Sequence, residues 1–472
     1  MVKSISLFLA AIFVSQLSFG KSVDMQSAKT TGANFLATQG IQAEPSAMSL
    51  IYQATSVVNG TQVTDFYVFS AGAAGFVIVA GDDNVIPVLG FSGESQFRAS
   101  SIPASVSSWF TTYQNEINYV IQNNVQASEA VSTEWISLNS TGRKSAYKLA
   151  DSVVTPLLKT QWDQTPYYNY TCPWDASADT NALTGCVATA MAQVMRYWSW
   201  PAKGTGSNSY SSPYGMLSAT FSSDAYTWDS MPNMIYSNNK YVAKIMLDAG
   251  VSVNMDYGVT ESGSFVTIAS SPVRNCAEYA MVTYFNYKSS LQGVSRTSYT
   301  DADWVTLIET EIEAKRPVIY TGDGSSGGHC FVADGYTTGS RIHINWGWGG
   351  LYNGYYVTTN LAPGSTTFNS NQTLIVGITP NNPKALSVNQ VAADVINIYP
   401  NPAASVINID LQGTTATQVR LTDMEGRSLN VVTPAANAAS IAIPVADLAD
   451  GMYLVSVQTA TGTITRKVAV AK

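Results

Sequence analysis

The sequence predicts an α+β protein of at least three modules that follow an N-terminal export signal. With 472 residues, the chain is longer than one typical domain. Apolar residues recur at spacings of three and four over 106–121 and over 187–198, which is the period of an amphipathic helix. After residue 396, short runs alternate apolar and polar residues, as the strands of a small β-sandwich do. Helices and strands together make this an α+β chain.

The composition indicates a polar surface that carries few charges. Charged residues make up 12% of the chain, against roughly 25% in an average soluble protein. Serine, threonine, asparagine, glycine and 26 tyrosines take their place. The net charge is −8 and the sequence has no basic run, so nothing in it points to a nucleic-acid partner.

The first 20 residues have the pattern of a secretory signal peptide. Lys3 supplies the positive start, residues 5–14 form a short apolar core, and residues 18–20 form a small-x-small cleavage site. That core is well short of the roughly 20 residues that span a bilayer, and no later stretch does better. The sequence therefore predicts an exported protein without a transmembrane segment.

Residues 21–147 are predicted to form a small α+β module with a structural or regulatory role. Residues 66–92 contain β-rich runs separated by turn residues. After Pro103, apolar residues recur with helical spacing as far as Ile121. The module contains neither cysteine nor histidine, so it has few groups for chemistry. A polar, basic stretch at 140–152 follows it and is suited to proteolytic nicking.

Residues 148–380 contain the candidate chemistry. All cysteines and histidines of the chain lie there: Cys172, Cys186, Cys276, Cys330, His329 and His343. Four cysteines are few for an exported chain of this length, and if one is a reactive thiol at most one disulfide can form among the others. Residues 381–395 are predicted to be a linker and residues 396–472 the β-sandwich.

Cys186 stands between a glycine and the predicted helix, in the sequence TGCVATAMAQVMRYW (184–198). Thr184 is the expected N-cap, which places Gly185 and Cys186 in the first turn. Backbone N–H groups there lack helical partners and carry the positive end of the helix dipole. They therefore lower the pKa of a thiol and can hold an oxyanion. Cys186 is a candidate nucleophile; the alternative is a small apolar residue packed at a helix start.

A thiol nucleophile needs a base, and the chain has two histidines. His329 follows two glycines and opens a strand-like alternation, so its ring can stand at the rim of a groove. His343 lies between two isoleucines inside a strand and is interpreted as structural. Asn345, two residues further on, has an amide oxygen that can accept from a histidine ring N–H and fix its tautomer.

The strands that carry the two histidines are predicted to form a hairpin around residues 337–340. His329 and Asn345 share a face only if opposed residue numbers add to an even value. We therefore expect an odd-length loop or a bulge in this hairpin. Trp346 and Trp348 flank Asn345, where an indole could shield an Asn–His hydrogen bond from water or simply pack in the core.

The sequence leaves the roles of some other polar groups undecided and does not support a catalytic role for others. An oxyanion needs a second donor, and the segment before the helix offers two side-chain amides, Gln161 and Gln164. Ser326 lies at the centre of a G-x-S-x-G match (324–328), but that motif requires a helix after the serine. The residues that follow have a strand pattern, so 324–328 is interpreted as a glycine-rich loop. No zinc or EF-hand spacing occurs, and no metal or other cofactor is predicted.

Taken together, these motifs resemble the streptopain family of papain-fold cysteine peptidases over nearly all of residues 21–380. WDQTPYYN, TGCVATAMAQVMRYW, GGHCFVADGY and HINWGWGG stand in the family's order and at about its spacing. The resemblance implies an inhibitory propeptide at 21–147 and a papain-like catalytic domain at 148–380. It implies these site residues: Cys186 as nucleophile, His329 as base, Asn345 as the group that orients the histidine, Trp346 as the cover of that contact, and Gln164 as oxyanion donor. At position 330, where this chain has cysteine, the family more often has alanine; in a strand that side chain would point away from His329.

The C-terminal module is similar to the sorting domains of type IX secretion cargo. The likeness lies in YPNPA (399–403), DMEG (423–426), GMYLV (451–455) and the basic end RKVAVAK. It implies passage through a Gram-negative outer membrane, followed by release or surface attachment.

We therefore expect a secreted cysteine endopeptidase that is made as a zymogen and hydrolyses protein or peptide substrates. Its own propeptide would inhibit it, and the type IX secretion machinery would export it. Two alternatives remain open at this point. One is an enzyme that uses the same site to transfer an acyl group to an amine, and the other is a surface adhesin without turnover.

Overall fold

The computed structural model describes residues 21–72, 75–140, 154–223, 225–271, 274–324, 327–337, 340–358, 361, 372–382, 396–411, 416–423, 428–435, 438–459 and 462–472. Four sequence predictions fall outside these residues: the signal peptide (1–20), most of the stretch suited to nicking (141–152), Ser326, and nearly all of the linker (383–395). The chain divides into two compact units, Met1–Asn381 and Asn382–Lys472.

The N-terminal module, residues 21–140, combines three helices with a four-stranded antiparallel meander. Its elements are α1 (Met25–Thr38), β1 (Leu50–Val58), β2 (Thr61–Ser70), β3 (Phe76–Ala80), β4 (Val88–Ser92), α2 (Ala104–Asn123) and α3 (Glu129–Asn139). The helix predicted after Pro103 is α2, and its predicted apolar face is buried, as at Val106, Phe110 and Ile117. The strands predicted within 66–92 are also present, so the α+β assignment of this module is confirmed.

The middle region, residues 154–382, contains a second set of helices and strands. Its elements are β5 (Trp174–Asp175), β6 (Thr180–Asn181), α4 (Cys186–Trp198), β7 (Ser207–Ser212), β8 (Gly215–Thr220), α5 (Lys240–Ser252), α6 (Ala277–Thr283), β9 (Gln292–Ser295), α7 (Asp301–Glu313), β10 (Val318–Gly324), β11 (Gly327–Thr337), β12 (Arg341–Asn345), β13 (Gly354–Val357) and β14 (Thr373–Val376). The apolar stripe of 187–198 lies on α4, as predicted, and this helix packs against α5 and β11.

One ten-stranded sheet joins the N-terminal module to the middle region. Its strand order is β1-β2-β3-β4-β13-β12-β11-β10-β14-β9. The junction is the antiparallel pair β4–β13, in which Phe91 lies opposite Tyr355 and Gly90 opposite Tyr356. The position opposite Tyr356 is tight, because a Cβ at Gly90 would come within 2.9 Å of that ring. The two modules therefore share backbone hydrogen bonds as well as packed side chains.

The large sheet separates two hydrophobic cores, and β11 contributes to both. Phe331 and Ala333 belong to a core shared with α1 and α2 of the N-terminal module. Cys330 and Val332 belong to a second core with α4, α5 and α6. Because side chains alternate along a strand, His329 continues the first series and Cys330 the second, as the strand pattern predicted.

In the C-terminal unit, the described residues form β-strands. They are β15 (Asn397–Tyr399), β16 (Val406–Asp410), β17 (Ala416–Asp423), β18 (Ser428–Val432), β19 (Ser440–Pro444), β20 (Gly451–Thr459) and β21 (Gly462–Val470). They form a three-stranded sheet, β15-β16-β19, and a four-stranded sheet, β18-β17-β20-β21. The alternating residues of both sheets meet in one core, so the predicted β-sandwich is confirmed. No helix in the described ranges is long and apolar enough to cross a membrane.

Candidate active site

Cys186 is the first residue of α4, but the residue that caps the helix is not the predicted one. Gly185 occupies the N-cap with φ +85° and offers no side chain, while the Thr184 hydroxyl bonds the Thr189 hydroxyl at 2.8 Å. A Cβ at Gly185 would lie 2.5 Å from Sδ of Met255. Only glycine fits this close approach and this left-handed backbone. The tight turn presents Cys186 at the tip of the helix.

Replacement of Gly185 by Ala is therefore expected to destabilise the protein by roughly 2 to 4 kcal/mol, because it adds both backbone strain and overlap with Met255. Gly263→Ala in the neighbouring loop is a matched control, since a Cβ there has no atom within 4 Å. Denaturant unfolding of both variants measures the difference. Equal stability of the two variants would contradict the packing argument.

The Cys186 thiol is half-buried, and burial raises its pKa even though the backbone N–H groups of Cys330 and Val187 partly oppose the shift. The prediction that the helix tip lowers this pKa is wrong for the state described here. The reason is that desolvation disfavours the thiolate more than the helix tip favours it. Cys186 packs against the core that contains Cys330, the residue after His329, because α4 lies against β11.

The imidazole of His329 is held by the segment that follows β12. Its Nε2 lies 3.2 Å from the carbonyl oxygen of Trp346, and its ring stacks on Trp348 with centroids 5.5 Å apart and planes 8° apart. Burial lowers its pKa to about 4. Within the described ranges no hydrogen bond joins it to Cys186. The structure therefore holds a neutral imidazole and a neutral thiol without the ion pair that activates a cysteine nucleophile.

The β11–β12 hairpin contains both features that were predicted as alternatives, and their effects cancel. Three residues separate the strands, so opposed residue numbers add to an even value near the turn. A bulge at Asp334 then shifts the register, and Val332 lies opposite Asn345, an odd sum. His329 and Asn345 therefore lie on opposite faces of the hairpin in this structure, contrary to the prediction that they share one.

The amide of Asn345 is buried and fully engaged. Its Oδ1 accepts from Nε2 of Gln193 and from the backbone N–H of Gly347, both at 3.2 Å, and its Nδ2 donates to the carbonyl of Thr160 at 2.8 Å. Gln193 was not singled out in the sequence. The signal that could have found it is a long polar side chain seven residues after Cys186, on the same side of a mostly apolar helix.

Gln164 lies beside the start of α4, which favours it over Gln161 as the second amide donor. It is buried, and its carbonyl oxygen accepts from the backbone N–H of Thr184 at 3.5 Å. Its side-chain amide has no hydrogen-bond partner among the described residues and so is free for a ligand. Gln161 instead packs under Gly350. Asp163 accepts from the backbone N–H of Gln164 at 2.7 Å, and burial raises the pKa of this carboxyl to about 6.

Both tryptophans beside Asn345 contact the N-terminal module. Trp346 is fully buried, and the indole of Trp109 from α2 meets it edge-on with centroids 5.8 Å apart. Trp348 donates from Nε1 to the Ser105 hydroxyl at 3.1 Å. The indole that covers the histidine is Trp348, since the centroid of Trp346 lies farther from that of His329, at 6.4 Å. The N-terminal module thus holds the indole that stacks on His329.

His343 belongs to a separate ion-pair cluster, in which Asp334 is buried and Glu94 is exposed. Its Nδ1 lies 2.6 Å from Oδ1 of Asp334, and its Nε2 lies 3.3 Å from Oε1 of Glu94. The second contact is close enough for an ion pair, but its geometry is not that of a hydrogen bond, so Nε2 has no hydrogen-bond acceptor in the described part of the chain. Burial alone would lower the pKa of His343, but the two carboxylates outweigh it and raise the pKa to about 9. Glu94 comes from the N-terminal module, so the cluster also bridges the two modules.

The remaining cysteines take no part in this arrangement. Cys172, Cys276 and Cys330 are buried free thiols, and burial raises the pKa of each. Within the described ranges no group of histidine, cysteine and carboxylate side chains could hold a metal ion. The chemistry available is that of one thiol at a helix tip, one imidazole nearby and several amide donors.

Comparison with known proteins decides the family. The family model described as Peptidase C10 matches residues 162–356, which contain all the candidate site residues. Streptopain of Streptococcus pyogenes is 31% identical over 348 residues, which cover 67% of this chain and 81% of streptopain. The chain belongs to the Peptidase C10 family.

Other similarities define the modules around this Peptidase C10 domain. A model described as Spi protease inhibitor matches residues 20–117, and one described as Secretion system C-terminal sorting domain matches residues 397–471. The thiol protease/hemagglutinin PrtT of Porphyromonas gingivalis is 30% identical over 385 residues, and the match spans only 42% of PrtT. A solved fragment of Prevotella intermedia prointerpain A matches with a TM-score of 0.54 and 26% identity, covering 70% of this chain and all of the fragment.

These findings confirm the predicted fold class and activity. The Peptidase C10 protein is a cysteine peptidase that carries an inhibitor-like propeptide and is therefore made as a zymogen. Its sorting domain indicates type IX secretion, so the protein is secreted or attached to the cell surface.

Proposed function

We propose that this protein is a secreted endopeptidase in which Cys186 is the nucleophile and His329 the general base. The observation that carries the proposal is that α4 packs against β11, with Cys186 against the core that contains Cys330. Because residue 330 follows His329 directly, the backbone of the base already lies beside the nucleophile. The imidazole itself lies on the face of β11 opposite Asn345, so activation requires the start of this strand to rearrange and bring the imidazole to the thiol.

Once the imidazole reaches the thiol, the chemistry follows that of other cysteine nucleophiles. His329 takes the proton of Cys186, and the thiolate attacks the carbonyl carbon of a peptide bond. The backbone N–H at the tip of α4 and the free amide of Gln164 stabilise the oxyanion. Imidazolium then gives its proton to the leaving amine, and water releases the acyl group. Asn345 would orient the imidazole, with Trp346 and Trp348 shielding that contact from water.

We assign the inhibition to the N-terminal module. Ser105 holds Trp348 against the His329 ring, and Trp109 buttresses Trp346. Removal of this module frees both indoles and the edge of β13 that pairs with β4. The proposed boundaries are 21–147 for the inhibitory propeptide, 148–380 for the catalytic domain, 381–395 for the linker and 396–472 for the sorting domain. Cleavage within 140–152 would separate the first two.

The proposed substrates are proteins and peptides outside the cell. The type IX secretion machinery would recognise the C-terminal unit after export through the signal peptide, and the protein would cross a Gram-negative outer membrane. Release or surface attachment completes this route.

A cleavage assay tests the activity. Purified processed protein is expected to degrade casein under reducing conditions. Treatment with iodoacetamide should lower that activity at least about 100-fold, because alkylation removes the nucleophile. Mass spectrometry of the products should show hydrolysed ends. Cross-linked products would instead indicate acyl transfer to amines, and intact casein would indicate an adhesin; either result contradicts the proposal.

A further inference from the structure

Gln193 is a fully buried amide on the helix that carries Cys186. It lies seven residues after the cysteine, about two helical turns, and so on the same side of α4. Burial of an amide costs free energy unless its hydrogen bonds are satisfied. The side chain should therefore have specific partners, and it does.

Its partners come from two segments of the candidate site. Oε1 of Gln193 accepts from the Thr160 hydroxyl at 2.9 Å and from the backbone N–H of Trp162 at 3.2 Å. Nε2 donates to Oδ1 of Asn345 at 3.2 Å. The Thr160–Trp162 segment leads directly to Gln164. One side chain therefore connects the catalytic helix to the oxyanion segment and to Asn345.

Backbone groups determine which way both amides point. The N–H of Trp162 can only donate, so it must face Oε1 of Gln193. The N–H of Gly347 can only donate, so it must face Oδ1 of Asn345, and the carbonyl of Thr160 can only accept, so it must face Nδ2. An inverted amide at either residue would place like groups together. The network has a single consistent orientation, in which Gln193 donates to the oxygen that a histidine ring would need.

We propose that Gln193 is a positioning residue for the peptidase reaction. It holds Asn345 Oδ1 and the Thr160–Gln164 segment in one geometry relative to Cys186, so that the imidazole is oriented and the oxyanion donor aligned at the same time. The inference rests on the proposed roles of Asn345 and Gln164. Because Oδ1 is pinned by Gln193 and Gly347, it cannot rotate to follow the imidazole, and His329 must come to it. Small misplacements of such groups cost large factors in rate.

Gln193→Glu tests this role with little change in volume. The carboxylate can still accept from Thr160 and Trp162, but it cannot donate to Asn345. In the processed protein we expect kcat on casein to fall by roughly 10- to 100-fold, with KM changed less than about threefold. The deficit relative to wild type should shrink as the pH is lowered, because the protonated carboxyl regains a donor. Asn208→Asp is the matched control: it makes the same amide-to-carboxylate change at a partly buried contact of the same domain, and its activity should stay within about twofold of wild type.

A double-mutant cycle separates positioning from mere structure. In an Asn345→Ala background, Gln193→Glu should lower kcat by less than about twofold further, because its effect passes through Asn345. The inference would be overturned if the kcat losses of the two single variants multiplied in the double variant, or if Asn345→Ala alone kept full activity. Neither result would affect the proposed nucleophile, since Cys186→Ala tests it separately. If Gln193→Glu does not fold, Gln193→Met replaces it without a new charge and without recovery at low pH. Because this variant also releases Thr160 and Trp162, its loss of kcat should be smaller in the Asn345→Ala background than in wild type, and an equal loss in both backgrounds would overturn the inference.

Discussion

Cys186→Ala is expected to leave the full-length chain uncut and to lower casein hydrolysis by at least about 10³-fold, because no other described thiol stands at a helix tip beside a histidine. N-terminal sequencing of the secreted forms measures the effect. The wild-type protein should begin within 144–152, after the basic stretch, and the variant should retain the N-terminal module.

Cys330→Ala is the matched control for this prediction. Cys330 is a buried thiol directly after His329, and its side chain lies in the core with α4. Loss of this sulfur should leave processing and hydrolysis within a few-fold of wild type. Processing or casein hydrolysis that persists in Cys186→Ala would remove Cys186 from the mechanism.

His343→Gln is expected to destabilise the precursor on the order of 3 kcal/mol, because it leaves the buried Asp334 carboxylate without its cationic partner. The measurement is denaturant unfolding in the Cys186→Ala background, where the chain stays intact. Glu94→Gln is the graded control. Its side chain is 61% exposed, so its loss should cost much less.

The same cluster predicts how stability depends on pH. Because folding raises the pKa of His343 to about 9, its contribution is fully present below the ordinary value near 6.5 and is lost as the pH rises through about 9. The ion pair with His343 lowers the pKa of Glu94, so that contribution is present above the ordinary Glu value and is lost as the pH falls below it. Tyr355, Tyr197 and Lys159 are further titratable groups that face this cluster.

The difference in unfolding free energy between the parent and His343→Gln should therefore be largest near pH 5 to 6, decline above about pH 6.5 and be lost by about pH 9. Unfolding curves from pH 5 to pH 10 measure it. A difference that stays constant over this range would mean that His343 is not protonated in the folded precursor.

Several elements could be predicted because their signals are local. The stripe on α4 and the face of α2 repeat every three or four residues, so each helix could be identified from its own sequence. The cap of α4 could not. Thr184 has a suitable hydroxyl, but Met255, about seventy residues away, leaves no room for a Cβ at position 185 and so selects glycine for the turn.

The hairpin shows the same limit. Because side chains alternate along a strand, either an odd-length loop or a bulge is expected if His329 and Asn345 share a face. The sequence alone does not show that both occur and together place the two residues on opposite faces. Gln193 was also not predicted, because its position on the apolar side of α4 indicates burial but does not identify its partners, Thr160 and Asn345.

By itself, the sequence determined the α+β class and the family, and it supplied the two groups that we propose perform the chemistry, since few residue types can act as nucleophile and base. Only the tertiary structure decided the state of those groups: a thiol kept neutral by burial and an imidazole stacked on Trp348, which Ser105 holds from 243 positions away. The reason is physical. Helices and strands follow from neighbours along the chain, whereas a pKa and a hydrogen-bond partner depend on which distant atoms folding brings together.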